Sequence, residues 1–330
     1  YIDNFHEKIT HVDIINLHWT ATFVDYEAFF QNLTGDAPVI WTLHDMNPFT
    51  GGCHYAGECH GFEEQCGLCP QLASTTRKDF SHYNWAYKHK ALSEIESASL
   101  HIVTPSKWLG RQSKSSSLFS RFNHSVIPYG LDLDVYKPGN PSGLKDALNI
   151  PNDARVIGFV ADSLSDARKG FSILTKAMEV LKIENIYLVS IGDKSPIMSK
   201  EVKHIHLGRV KNEGLMSLVY SLFDVFICPS QEDNLPNTVL ESLACGTPVV
   251  GFDIGGVPDM VENGVTGFLV PNIDPVLLAS KIEEIFSDEK NLQIMAEQCR
   301  AKAVKEYALD IQAVNYRNLY STLLNSHGDC

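Results

Sequence analysis

The chain has 330 residues, about twice the common domain size of roughly 150, which sets two domains as the expectation. Its 44% hydrophobic and 20% charged residues form an ordinary globular balance and exclude a disordered or collagen-like chain. Acidic residues outnumber basic ones 40 to 27, and the net charge of −13 opposes a nucleic-acid partner, which would need clustered Lys and Arg. A single phosphate is still open, because one Arg and one helix N-terminus suffice to hold it.

No stretch reaches the roughly 18 apolar residues of a membrane span; the longest, over 218–228, is broken by Asp224. The opening Tyr-Ile-Asp-Asn-Phe reads as neither an initiator Met nor a signal peptide. Eight cysteines are too sparse for a disulfide scaffold. A cytoplasmic protein is the expectation.

In chain order, a helix-like opening piece runs into an apolar, β-branched stretch over 12–18 that ends at His18. Similar stretches follow over 38–44, ending at His44, and over 100–105 and 125–129, with a helix predicted over 106–118. Near-continuous apolar strands alternating with helices predict a parallel sheet covered on both faces. A doubly wound domain normally opens with a strand and a Gly-rich turn, and neither is present, so this first domain reads as incomplete at its start. The turn formers of 137–143 set a boundary near residue 138. The expectation is a first domain over 1–138, a linker over 139–151 and a second domain over 152–330. In the second domain strands are predicted over 155–160, 186–191, 204–207, 225–229 and 248–252, with helices over 170–181, 213–222 and 238–244. Helical spacing recurs over 275–286, 291–307 and 311–324, and the last of these is expected to pack back on the first domain.

The most informative segment is 230–251. It leaves a strand, crosses a polar loop carrying Glu232 and Asp233, and opens a helix at Asn237 or Thr238 with Glu241 one turn in. Exposed N–H groups at such a helix start favour a phosphate, and a carboxylate just inside it accepts hydrogen bonds from ribose hydroxyls. The plain alternative is an N-cap at Asn237 or Thr238 and a solvated Glu241.

The Asp233-to-Glu241 stretch resembles the E-x7-E segment of family-4 retaining glycosyltransferases, which have the two-domain GT-B fold. Further matches are Arg168-Lys169-Gly170, the run from Ile127 to Asp132, Gly255-Gly-Val-Pro258 and the run from Asn263 to Leu269. In the first domain they are Leu17-His-Trp19, the run from Trp41 to Met46 and that from Phe49 to His54, a combination similar to a subgroup of bacterial exopolysaccharide (colanic-acid-type) clusters. The resemblance implies an α/β GT-B fold, two doubly wound Rossmann-like domains facing a cleft. It implies Glu241 on the donor ribose and Asn237 and Thr238 at the diphosphate. Arg168 and Lys169 would neutralise the leaving diphosphate, with an exposed loop pair as the alternative. Asp233, with Asn234 and Leu235, would contact the donor sugar. Asp is one methylene shorter than the family's Glu, and Glu232 is the substitute. The family's Arg after the first strand of the second domain is missing from Phe159-Val-Ala-Asp-Ser163. His44 matches the family's pocket His, so the catalytic set is His44, Asp233 and Lys169. His18 is a second candidate, and a structural imidazole is the alternative for both. Asp45 orients His44 or caps the next segment.

Cys53, Cys59, Cys66 and Cys69 stand as Cys-x5-Cys-x6-Cys-x2-Cys. Four thiolates so placed suit a structural zinc; paired disulfides or free buried thiols are the alternatives. Cys228, Cys245 and Cys299 read as core residues. Residues 74–125 run against the overall charge, with Arg77, Lys78, Lys88, Lys90, Lys107, Arg111, Lys114 and Arg121, and suit a lipid phosphate or an anionic membrane face, or else a solvated helix face.

The reading is a retaining, metal-independent hexosyltransferase. It would move a hexose from a nucleotide-diphosphate sugar, UDP before GDP, to a glycan or lipid-linked acceptor in exopolysaccharide synthesis, at the cytoplasmic face of the membrane. The alternatives are a sugar-nucleotide epimerase or glycan phosphorylase of the same architecture, or a nucleotide-binding fragment without activity.

Overall fold

The computed structural model describes residues 12–31, 33, 37–194 and 202–328. The helix-like opening piece and Cys330 lie outside the described residues. The chain divides into two compact units, one of residues 1–128 and 313–330 and one of residues 129–312.

Unit 1 is built on a four-stranded, wholly parallel sheet in the order β1 (Ile15–Leu17), β2 (Val39–Thr42), β3 (Leu100–Thr104), β4 (Asn123–Val126). The central strands are mostly apolar because both faces are covered: Val39, Ile40, Trp41, Ile102 and Val103 are all buried. Helices α1 (Tyr26–Gln31), α2 (Gly61–Glu64), α3 (Phe80–Ser93) and α4 (Lys107–Ser115) connect the strands. The side chain of Asp79 caps α3 by accepting from His82 N, and Ser106 caps α4 by accepting from Leu109 N. The helix predicted over 106–118 therefore starts as expected and stops at Ser115.

Unit 2 carries a six-stranded parallel sheet in the order β10-β9-β8-β5-β6-β7. The strands are β5 (Arg155–Ser163), β6 (Ile186–Asp193), β7 (Lys203–His206), β8 (Val225–Cys228), β9 (Val249–Phe252) and β10 (Gly267–Val270). From β5 the chain winds outward through β6 to β7, then returns to place β8 on the other flank of β5. This is the doubly wound order, and its reversal between β5 and β8 leaves a crevice at their carboxyl ends. The helices are α5 (Ser142–Ala147), α6 (Phe171–Val180), α7 (Glu213–Leu222), α8 (Asn237–Ala244), α9 (Val257–Met260), α10 (Pro275–Phe286), α11 (Glu289–Glu306) and α12 (Leu309–Gly328). The strand β10, missing from the predicted set, is a four-residue edge strand opened by a glycine.

The units part at 128/129, ahead of the turn-rich 137–143. Tyr136 is buried in the unit 2 core, and α5 occupies the expected linker. From Ala313 onward α12 belongs to unit 1, where Tyr316 OH lies 3.1 Å from Thr42 Oγ1 and Tyr320 OH accepts from Asn16 Nδ2 at 2.8 Å.

Candidate functional site

Two loops leave the sheet of unit 2 on either side of the reversal point. The first follows β5. Asp166 accepts from Arg168 N at 3.0 Å and folds 167–169 into a single 3-10 turn. Gly170 then turns the chain into α6 at φ 72°, where a side chain would drive its Cβ to 1.8 Å from Pro229 O. The second loop follows β8 and runs to α8. The two are laced together: Gln231 N donates to Arg168 O (2.7 Å), Gln231 Nε2 to Ala167 O (2.6 Å) and Arg168 Nη1 to Glu232 O (2.9 Å).

At the centre is Asp233, only 5% exposed. Lys169 Nζ donates to its Oδ2 at 2.6 Å, Ser230 Oγ to the same oxygen at 3.3 Å, and Arg168 Nη1 stands 3.4 Å away. Asn234 N donates to Oδ1 at 3.1 Å, and Gly256 N donates to the backbone oxygen at 2.9 Å. The carboxylate thus holds the Lys169 ammonium in one place at the crevice. Asn234 and Leu235, expected with Asp233 at the donor sugar, are buried as well.

Four residues on, α8 begins. Pro236 precedes it and caps it with no side chain; Val239 N and Leu240 N are bonded back to Pro236 O. Asn237 and Thr238 supply the first amides, which point out of the helix start as in any α-helix and carry its positive dipole end. Pro236 lacks an N–H, and the amides that remain are those of the expected pair. Lys169 and this helix start are therefore joined through one short loop, with Asp233 as the tie.

Glu241 sits on the second turn of α8, partly buried, and its Oε2 accepts from Tyr220 OH at 2.6 Å. Tyr136 gives it a second hydroxyl. Burial is the largest influence and pushes the carboxyl up to about 7; the two tyrosines pull it down, while the nearby Glu213 and Asp162 raise it. Neither tyrosine follows from the motif: both are brought in by the fold, from α7 and from the entry to unit 2.

In unit 1, His18 Nδ1 lies 3.2 Å from His44 Nε2, so the two candidate histidines form one pair. Burial first, then His18, holds the His44 imidazole below its usual range. The neighbouring Asp45 carboxylate opposes that lowering electrostatically. One of its oxygens faces His54 Nδ1 at 2.9 Å, the other accepts from Asn47 N at 2.8 Å, and Trp19 stacks flat on His54 with centroids 5.2 Å apart.

One expectation needs correction. The four cysteines Cys53, Cys59, Cys66 and Cys69 are free thiols, and among the described residues no group of three or more His, Cys, Asp or Glu side chains is placed to hold a metal ion. Two of the sulfurs accept from the backbone: Gly51 N donates to Cys66 Sγ at 3.1 Å and Gly61 N to Cys59 Sγ at 3.5 Å. Burial pushes the Cys66 thiol up to about 11 and raises that of Cys53. Several cations of the basic stretch over 74–125 are engaged in the fold. Lys88 binds the Asn47 and Thr50 carbonyls, Lys90 pairs with Glu27, Lys114 binds Phe122 O, and Arg121 binds the Leu92 and Ile95 carbonyls. Among the described residues no helix is long and apolar enough to cross a membrane.

Residues 154–288 match the family model described as glycosyl transferases group 1. The chain is 29% identical over 214 residues to a D-inositol 3-phosphate glycosyltransferase of Xylanimonas cellulosilytica, a match covering 59% of this chain and 50% of that relative. The chain therefore spans about half the length of that relative. Among solved structures, sucrose-phosphate synthase from Thermosynechococcus elongatus superposes with a TM-score of 0.73 at 19% identity, over 97% of this chain and 76% of that one. Anabaena Alr3699/HepE in complex with UDP does so with a TM-score of 0.66 at 20% identity, over 90% and 75%. These likenesses show the GT-B fold.

Proposed function

We propose, from the match of residues 154–288 to the group 1 glycosyl transferase model and from the GT-B fold, that this chain is a retaining hexosyltransferase using a nucleotide-diphosphate sugar. The observation that carries the reading is the union of Lys169, Arg168 and the start of α8 through Asp233 at the sheet's reversal point.

Breaking a nucleotide-sugar bond builds negative charge on the departing diphosphate and positive character on the sugar ring. Lys169, Arg168 and the amides of Asn237 and Thr238 meet the first of these. They are fixed before the substrate arrives, so no reorganisation is needed as charge develops. That stabilisation needs no metal ion. Glu241, steadied by Tyr220 and Tyr136, accepts from the ribose hydroxyls. Asp233 acts on the donor through Lys169, because its own carboxylate is enclosed. His44, kept neutral by burial, serves the sugar and acceptor side with His18 as its hydrogen-bond partner. The acceptor enters on the leaving-group face, and a phosphate oxygen takes its proton. A glycan or lipid-linked saccharide made during exopolysaccharide synthesis is the acceptor class, and a cytoplasmic setting follows from such donors.

UDP is the first nucleotide to test, since the Anabaena neighbour was solved with it. The experiment is calorimetry against UDP-, GDP- and ADP-sugars, followed by product analysis with donor alone and with saccharide acceptors. Saturable binding of one nucleotide class and slow release of free sugar from that donor support the reading. Conversion of the donor to an epimer, or binding without hydrolysis or transfer, rejects it.

A further inference from the structure

Tyr136 reaches Glu241 from a short turn at the entry to unit 2, and one side chain of α11 holds that turn from outside. Arg300 is half-buried and spreads its guanidinium over three carbonyls. Its Nη1 donates to Tyr136 O at 2.8 Å and to Ala244 O at 2.9 Å, and its Nη2 to Leu133 O at 3.1 Å. Ala244 is the last residue of α8, the helix that carries Glu241 one turn earlier. A helix end leaves its last carbonyls without an intrahelical donor, and the dipole there favours a cation. Cys245 N, Thr247 N and Gly246 N return to Glu241 O, Ser242 O and Leu243 O, and Arg300 takes Ala244 O.

The turn closes on itself through Asp132, whose Oδ1 accepts from Asp134 N and whose backbone oxygen accepts from Tyr136 N, both at 2.9 Å. Those bonds use neither the Leu133 nor the Tyr136 carbonyl, which go to Arg300. The flanks are fastened independently. Before the turn, Leu131 N donates to Tyr307 O at 2.8 Å. After it, Lys137 N donates to Ser217 Oγ at 3.2 Å and Gly139 N to Ser221 Oγ at 3.0 Å. Loss of Arg300 therefore loosens the turn while the chain on either side keeps its anchors. A guanidinium suits this task because its donors diverge in a plane and bridge two segments at once, whereas an ammonium is a single point.

We propose that Arg300 is a positioning residue for Glu241: by joining the Leu133 and Tyr136 carbonyls to the end of α8, it sets the Tyr136 hydroxyl against the Glu241 carboxylate. That Glu241 then meets a ribose rests on the proposed function; that Arg300 places its partner does not. The groups that face Glu241 are Tyr220 and Glu213 from α7, Tyr136 from the entry turn, Asp162 from the end of β5 and Cys245 just beyond α8. Tyr136 is the one among them whose backbone Arg300 holds. Losing Arg300 should thus act on Glu241 as losing the Tyr136 hydroxyl does, raising the pH at which the carboxyl ionises.

The test follows Glu241 in the full chain through the carbon-13 resonances of its glutamate carboxyls, with Glu241→Gln to identify the signal, beside calorimetry with UDP-glucose. Arg300→Met should raise the ionisation midpoint by about half a unit to one unit, the weight of one hydrogen bond. Tyr136→Phe should give the same shift, and the double variant should shift no further than either single one. UDP-glucose affinity at pH 7 should fall about two- to fivefold in Arg300→Met, following the smaller ionised fraction, and return toward wild type at pH 9. A merely structural arginine would lower affinity equally at both pH values. Arg300→Lys keeps a cation at the end of α8 without the fork, and should move the midpoint the same way; it is the variant to read should Arg300→Met not fold. A midpoint that stays in place, or shifts from Arg300 and Tyr136 that add in the double variant, would overturn the proposal. Should the midpoints move as expected in a chain that binds no nucleotide sugar, the proposal stands and the transferase reading falls.

Discussion

Lys169 Nζ lies 2.6 Å from Asp233 Oδ2, and that contact ties the loop after β5 to the loop that opens α8. The pair is partly enclosed, with side chains 24% and 7% exposed. It fixes where the ammonium stands. Lys169→Ala should therefore lower kcat by about 10²–10³, with a smaller effect on donor affinity, because its charge matters most as the diphosphate departs. Steady-state kinetics with the preferred donor would check this, and a loss confined to KM would contradict it. Asp233→Asn should keep the lysine but loosen it, cost about 1–3 kcal/mol of stability through the buried groups left unsatisfied, and lower kcat as well.

Gly255 supports the same loop from the other side. Its φ is 57°, and a Cβ there would lie 2.0 Å from Asp233 O, the carbonyl that Gly256 N holds. Gly255→Ala should displace this turn and cost about 1–3 kcal/mol or more in denaturant unfolding. Nucleotide affinity should fall with it, since Asp233 and the start of α8 move together. Wild-type stability in the variant would show that the loop tolerates the displacement.

What the sequence could reveal of this arrangement follows from distance along the chain. Buried parallel strands such as Val249–Phe252 are continuous apolar runs and announce themselves, and the loop and helix from Ser230 to Ala244 are local enough to read as one unit. The helix Phe80–Ser93 left little trace, because its buried positions include Ser81 and Lys88 and make no apolar stripe. The short Gly267–Val270 strand reads as loop for want of length and a leading side chain. In the site, the motif marks Glu241 but not its partners. Tyr220 and Tyr136 reach it only because α7 and the entry to unit 2 pack beside α8. The bond between Lys169 and Asp233, 64 positions apart, is likewise visible only in the fold. The cysteine spacing suggested metal because sequence does not report where a sulfur points.

Lys88 makes a pH prediction in unit 1. Burial lowers its pKa from 10.5 to about 8, so between those values the unfolded chain holds a proton that the native state has released. Stability from this group therefore rises with pH across that window, by about 3 kcal/mol at roughly 1.36 kcal/mol per unit. Lys88→Met removes the titration and leaves the Asn47 and Thr50 carbonyls without their donor. The stability difference between wild type and variant, from denaturant curves at pH 7.5 to 10.5, should grow in favour of wild type. A flat difference would show that the ammonium is solvated.

Glu241 predicts the opposite slope. Its pKa is raised from 4.5 to about 7, so in that window the native state holds a proton that the unfolded chain has lost. The stabilisation is complete below pH 4.5 and is lost as pH rises through 7, about 3 kcal/mol in all. Glu241→Gln should abolish that slope while keeping an oxygen for Tyr220 OH to donate to. Nucleotide binding acts on the same equilibrium. Ribose hydroxyls that donate to Glu241 favour its ionised form, so a UDP-sugar, whose diphosphate has no proton to lose in this range, should bind more tightly at pH 8 than at pH 6 and release a proton near pH 6.5. Calorimetry in two buffers of different ionisation enthalpy reads that proton directly. The release should vanish in Glu241→Gln, and affinity in that variant should fall by about 1–3 kcal/mol with no remaining dependence on pH over this range. An unchanged affinity with the proton release intact would move the ribose away from α8.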